Sequence, residues 1–167
     1  APGGSQHFQP NEMNMLETGK KAPAFNAVTD GDGKIALKDL KGRNVVLYFY
    51  PKDMTPGCTT EAEGFRDAIK DFEKANTVVI GVSKDSVKRH DNFKAKHDLP
   101  FTLISDEDGK ICKAYGVWQI KKNYGREYMG IVRSTFLIDE KGKIAKIWSN
   151  LRVKGHVDTV LEAAQSL

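Results

Sequence analysis

The sequence predicts an α/β fold, with a mixed central β-sheet and helices on both faces. Three observations predict it. Short apolar runs of strand type alternate with segments of helical periodicity, the pattern that builds parallel crossovers. The last two apolar runs flank a tight turn, which adds antiparallel edges. The chain has 167 residues, enough for one domain with its own hydrophobic core.

Each element has its own signal. "GKKAPAFNAVTDGDGKIALKDLKGR" alternates short apolar pieces with Asp-Gly turns and reads as a hairpin leading into the core. "NVVLYFYP", Asn44 to Pro51, is a continuous β-branched and aromatic run, which suits a central strand buried on both faces. Beyond it Ala62, Phe65, Ile69 and Phe72 form one apolar helical stripe. "TVVIGVS", Thr77 to Ser83, is a second buried strand. A helix follows, with Ser86 as N-cap and Val87 and Phe93 facing inward. "FTLISD" is a third strand, and "DGKICKAYGV" is a short helix or turn ending near Gly116. "RSTFLIDEKGKIAKIWSN" is two strands around a Glu-Lys-Gly turn, and Val157, Val160, Leu161 and Ala164 mark a C-terminal helix. The order of elements matches a thioredoxin-like sandwich. It is placed at residues 17–167, behind a flexible segment 1–16 read as a cloning scar or a processed end.

Composition removes several functions. Hydrophobic residues are 40% and charged residues 29%, as in a globular domain. The net charge is +4, but Lys and Arg are scattered among Asp and Glu, with no basic block interleaved with aromatics, so no nucleic-acid partner is expected. No apolar run reaches the ~20 residues of a membrane span. "DGDGK" and "DEDGK" put Gly at the fourth place and Lys at the fifth, where a calcium loop needs a ligand at the fifth and Gly at the sixth, and both read as turns. His7, His90, His97 and His156 show no metal-ligand spacing, so neither a metal nor another cofactor is expected. His90 and His97 read as solvated on a polar helix, His156 as the start of the last helix, and "GVWQIKKNYG" as an exposed loop. Two cysteines, Cys58 and Cys112, are no secreted-domain framework, and a reducing, cytoplasmic setting is the expectation.

The chemistry points to Cys58. An ordinary thiol has a pKa of ~8.5 and is mostly protonated at neutral pH. In "PKDMTPGCTTE" the chain leaves a buried strand, turns through Pro56 and Gly57, and sets Cys58 where a helix begins. Unpaired N–H groups and the positive dipole end there favour an anionic sulfur. Proline fixes the approach, glycine lets backbone N–H groups come close, and Thr55 can turn its hydroxyl into the same pocket. A lone cysteine is more often a small buried residue. Its place at the C-terminal end of a strand, where α/β sites gather, favours function.

The segment "PKDMTPGCTTEAEGFRD" resembles the active-site segment of peroxiredoxins, P-x-x-x-T-x-x-C, met by Pro51, Thr55 and Cys58. The wording is similar in particular to the bacterioferritin-comigratory-protein, or Q-type, subfamily. The likeness continues through "VIGVSKDSVKRHDNF", "LPFTLISDEDGKICKAYGVW" and "VRSTFLIDEKGKI", covering roughly residues 17–166. The resemblance implies a thiol peroxidase acting on hydrogen peroxide and organic hydroperoxides. Cys58 would attack the O–O bond and become a sulfenic acid. It also implies that Thr55 orients the peroxide, Pro51 shields the sulfur from water, Arg133 pairs with the thiolate, and Glu61 steadies Arg133. A guanidinium, always charged and forked, suits that task. Without the resemblance, Arg133 reads as a surface ion pair with Asp139 or Glu140, and Glu61 as a first-turn acid.

The chain departs from the subfamily at the resolving cysteine. Many members carry it five residues after the first, where Glu63 stands, and others in the helix after the next strand, where "SVKRHDNFKAKH" has none. Cys112 reads as a packed small residue. The expectation is a one-Cys mechanism, with an external thiol such as thioredoxin, glutaredoxin or glutathione as reductant, in a monomer. Resolution by Cys112, a redox-regulated holdase, and a thiol–disulfide oxidoreductase are the alternatives. The last wants C-x-x-C, and Glu61 fills the fourth place.

Overall fold

The computed structural model describes residues 16–167. The expected flexible segment 1–16 lies outside them except for Leu16, which packs against the core.

Strand β3 (Asn44–Phe49) is buried along its whole length, as a run without polar alternation requires. It anchors a seven-stranded sheet. Strands β4 (Thr77–Ser83) and β5 (Thr102–Ser105) follow in parallel on one side. Strands β1 (Asn26–Thr29) and β2 (Lys34–Ala36) form the expected hairpin, with β1 antiparallel to β5. On the other side β8 (Ser134–Ile138) runs antiparallel to β3, and β9 (Ile144–Ser149) antiparallel to β8.

The alternation along β3 divides the core. Val45, Leu47 and Phe49 face a cluster with Ile80, Val82, Phe136 and Cys112. Val46, Tyr48 and Tyr50 face one with Cys58, Phe65, Phe72, Phe93 and Val160. Each such side chain contributes ~1.5–3 kcal/mol by leaving water. Helices α1 (Pro56–Asp67), α2 (Ile69–Lys74), α3 (Val87–His97) and α5 (His156–Gln165) bring Phe65, Phe72, Phe93 and Val160 to the second cluster. The short α4 (Lys110–Ala114) covers the first with Ile111 and Cys112. Helices thus lie on both faces of a thioredoxin-like fold.

Three expectations change. The single stripe Ala62–Phe72 belongs to two helices, because the chain leaves helical geometry at Ala68 (φ −98°, ψ 4°) and restarts. The segment expected as a loop is a hairpin of β6 (Trp118–Asn123) and β7 (Arg126–Ile131). Its turn residues Tyr124 and Gly125 both have positive φ, the geometry that suits a two-residue turn. Half of its strand residues are polar and only Ile131 is fully buried, so backbone pairing rather than burial holds most of it, and the short alternation at Trp118 and Ile120 is a weak sign of it. The third change is at His90, which is fully buried rather than solvated, because Asp53 and the Ile104 carbonyl occupy its two ring nitrogens. Ser86 does cap α3, its hydroxyl accepting from the Arg89 N–H.

Candidate active site at the start of helix α1

After β3 the chain runs through Tyr50 to Thr55 and enters α1 with Pro56 as its first residue, where a missing N–H costs nothing. Cys58 is therefore in the first turn, with its side chain buried against the second core cluster. Arg133 reaches it from just before β8, the strand antiparallel to β3. Phe49 pairs with Ser134 in the β3–β8 register, so the residue before Ser134 lies beyond the C-terminal end of β3. There its guanidinium spans two partners. Nη2 donates to Cys58 Sγ at 3.2 Å, and Nη1 donates to Glu61 Oε1 at 2.6 Å. Glu61, one turn beyond Cys58 on α1, is fully buried.

Cys58, Arg133 and Glu61 therefore come together. Arg133 does not pair with Asp139 or Glu140, the reading open without the family register. Thr55 is the N-cap of α1, but its hydroxyl donates to the Lys52 carbonyl at 2.8 Å and so closes the loop. Pro51 is half-buried at the loop's entry. Among the described residues, Arg133 alone donates a hydrogen bond to the sulfur. The first-turn N–H groups act through the helix dipole rather than through directed bonds. Gly57 also has a different reason from the expected one. A Cβ there would lie 3.3 Å from Arg133 Nη2, so the glycine makes room for the guanidinium.

The charges are held out of water. Burial pushes the Glu61 carboxyl up to about 7, against the pull of Arg133. Among the described residues its second oxygen, Oε2, has no hydrogen-bond partner. Burial alone would lower Arg133, but Glu61 and then Cys58 outweigh it and raise it above its ordinary value. Lys121 on β6, which sequence reasoning passed over, stands near the same charges. Burial and the Arg133 charge push it down, Cys58 pulls it up, and its Nζ donates to the Ile131 carbonyl at 3.0 Å.

Cys112 is buried on the opposite face of the sheet from Cys58. Burial and then the neighbouring Asp106 carboxylate push its thiol far above the ordinary range. Asp106 accepts the Ile111 and Cys112 N–H groups and starts α4. Asp53, Asp85 and His90 form a buried group with ligand atoms close enough for a cation. Those atoms are already engaged with Tyr50, Ser83, Arg89 and one another, which makes a metal a poor fit.

A buried cysteine at a helix start, bonded by a carboxylate-anchored arginine on a thioredoxin-like fold, defines a thiol-based redox enzyme. Residues 18–147 match the AhpC/TSA family. The chain is 54% identical over 146 residues to the putative peroxiredoxin bcp of Coxiella burnetii, covering 87% of this chain and 97% of that protein. It is 50% identical over 152 residues to peroxiredoxin Bcp of Bacillus subtilis, covering 91% and 97%. The bacterioferritin comigratory protein of Xanthomonas campestris, solved to study its alkyl peroxide reduction, is 40% identical and superposes with a TM-score of 0.84, covering 90% of this chain and 98% of that one. The chain belongs to the AhpC/TSA family as a peroxiredoxin of the Bcp type, a thiol-dependent peroxidase. Among the described residues no helix is long and apolar enough to cross a membrane.

Proposed function

We propose that Cys58 is the peroxidatic cysteine, working by a one-Cys route. The single observation that carries this reading is the Arg133 fork, with Cys58 Sγ on one tine at 3.2 Å and Glu61 on the other at 2.6 Å. The guanidinium stabilises negative charge on the sulfur, and Glu61 fixes its orientation. The thiolate attacks one peroxide oxygen, the O–O bond breaks, and the sulfur becomes a sulfenic acid. The other oxygen leaves as water or alcohol after taking a proton. Arg133 faces the charge that develops on it. Thr55 positions the peroxide and Pro51 keeps water from the sulfur.

An external thiol then attacks the sulfenic sulfur and displaces water, and a second thiol frees Cys58. Thioredoxin, glutaredoxin and glutathione all have the chemistry. Resolution by Cys112 is disfavoured. A disulfide needs Cα atoms within ~7 Å, and Cys58 and Cys112 belong to core clusters on opposite faces of one sheet. The substrates are hydrogen peroxide and organic hydroperoxides. The alkyl peroxide reduction described for the Xanthomonas campestris relative supports the second class. We place the protein in the cytoplasm, in keeping with two free cysteines, and read it as a monomer.

Steady-state peroxide loss with each thiol donor tests this reading. Cys58→Ser should abolish turnover, and Cys112→Ser should leave it within about twofold, as expected away from the chemistry. Turnover lost equally in Cys112→Ser would replace the one-Cys route with a two-Cys one. A holdase would keep its protective effect in Cys58→Ser.

A further inference from the structure

The loop that delivers Cys58 makes four hydrogen bonds at one residue, Asp53. Its backbone N–H donates to Asp85 Oδ2 at 2.8 Å, and its carbonyl accepts from Arg89 Nη2 at 3.2 Å. Its Oδ1 accepts from the Tyr50 hydroxyl at 2.6 Å, and its Oδ2 meets His90 Nδ1 at 2.6 Å. Asp85 is fixed in turn by the Ser83 hydroxyl and by Arg89. The next residue, Met54, sits at φ 69°, a conformation that side chains other than glycine adopt only when their surroundings impose it. Four bonds at Asp53 supply that constraint. Five residues after Asp53 comes the sulfur.

His90 closes the clamp in a particular protonation state. Its Nε2 lies 2.9 Å from the Ile104 carbonyl, which can only accept, and its Nδ1 faces a carboxylate oxygen. With Asp53 ionised, both contacts are hydrogen bonds only when the ring carries two protons. Loss of one leaves a lone pair facing a lone pair at one side of a fully buried ring. Resting on the peroxidase reading, we propose that Asp53 and His90 are a positioning pair for Cys58. An imidazolium–carboxylate bond between them holds the Asp53–Thr55 loop, and with it the first turn of α1, in the peroxide-reactive geometry.

The charged and titratable groups around His90 fit this state. Asp53 in the loop and Asp85 after β4 are acidic, Arg89 on α3 is engaged by Asp85, and the Tyr50 hydroxyl at the end of β3 donates to Asp53. Burial pulls the imidazolium down, but Asp53 together with the Ile104 carbonyl and Asp85 outweighs it and holds His90 above its ordinary value. A raised value means that the clamp is complete at low pH and weakens as pH rises through the folded-state value.

Two measurements on the full chain test the pair. Nitrogen NMR of the histidine rings, assigned with His90→Gln, should show both nitrogens of His90 protonated at pH 7. A ring with one bare nitrogen would overturn the proposal. Single-turnover loss of the Cys58 thiol with hydrogen peroxide, followed against pH, should show an alkaline decline that His90→Gln removes. That variant should also be about tenfold slower at neutral pH, since small misplacements carry large rate penalties. Asp53→Asn serves if His90→Gln does not fold. Either variant reacting at the unsubstituted rate with an unchanged pH profile would also overturn the proposal. No reaction in the unsubstituted protein would bring down the peroxidase reading and the positioning role with it, while the ring spectra would still report the buried pair.

Discussion

Arg133 divides one guanidinium between a sulfur and a carboxylate, and that division sets what its replacement does. Lysine keeps the charge but has no planar fork, so it cannot hold Cys58 and Glu61 in the same geometry. Arg133→Lys and Arg133→Ala should both lower the second-order rate with peroxide, the alanine by about 10²–10³-fold, the scale for losing a positioned donor. Stopped-flow thiol oxidation reads it. A rate within twofold of the parent in Arg133→Ala would take Arg133 out of the chemistry. Two buried groups near it carry opposite pH signatures. Glu61 is raised from 4.5 to about 7, so its protonated form favours the fold, and the stability it contributes below 4.5 is lost as pH rises to 7. His156, whose Nε2 meets the Thr135 hydroxyl, is pushed by burial from 6.5 to about 4. It contributes stability above 6.5 that is lost as pH falls toward 4. Urea unfolding against pH should show a flatter acid limb in His156→Gln and a flatter neutral limb in Glu61→Gln. Cys58 was legible from its own segment, and Arg133 and Glu61 only through the family resemblance of theirs. His90 was not, because its surroundings are assembled by distant chain segments: Asp53 lies 37 residues away, and the Ile104 carbonyl 14.

At the scale of elements, helix α1 works through what it leaves out. Alanine at Gly57 would improve helix propensity by up to ~1 kcal/mol. Its Cβ would crowd Arg133 Nη2 at 3.3 Å, which is already bonded to Cys58. Gly57→Ala should keep or raise the melting temperature while slowing peroxide reaction about tenfold. Gly64 behaves differently. A Cβ there meets Val157 Cγ2 at 2.9 Å across the α1–α5 contact, and a β-branched side chain in a helix turns away with difficulty. Gly64→Ala should cost ~1–3 kcal/mol in denaturant unfolding, with Cys58 chemistry little changed. The buried strands and capped α3 were readable because apolar runs and Ser86 act locally. The β6–β7 hairpin and the break at Ala68 were not. The hairpin is held by backbone pairing of largely exposed residues, and the break leaves the apolar spacing intact.

For the whole molecule, the sheet is a partition. Cys58 and Cys112 lie in the separate layers that the two faces of β3 border, which leaves Cys112 poorly placed to resolve an oxidised Cys58 and agrees with the proposed external reductant. The fold class was legible from the order of runs and turns. The separation of the two cysteines was not, since it depends on which face of the sheet each connection crosses. The monomer proposal predicts a sedimentation mass near that of one 18.6 kDa chain in both thiol and sulfenic states; a dimer in either would contradict it.

Mapping the oxidised sulfur tests the central claim most directly. After one equivalent of hydrogen peroxide, in the presence of a sulfenic-acid trap, peptide mass spectrometry should find the adduct on Cys58 with Cys112 still a free thiol. An adduct on Cys112, a Cys58–Cys112 disulfide, or an unmodified Cys58 would contradict the account.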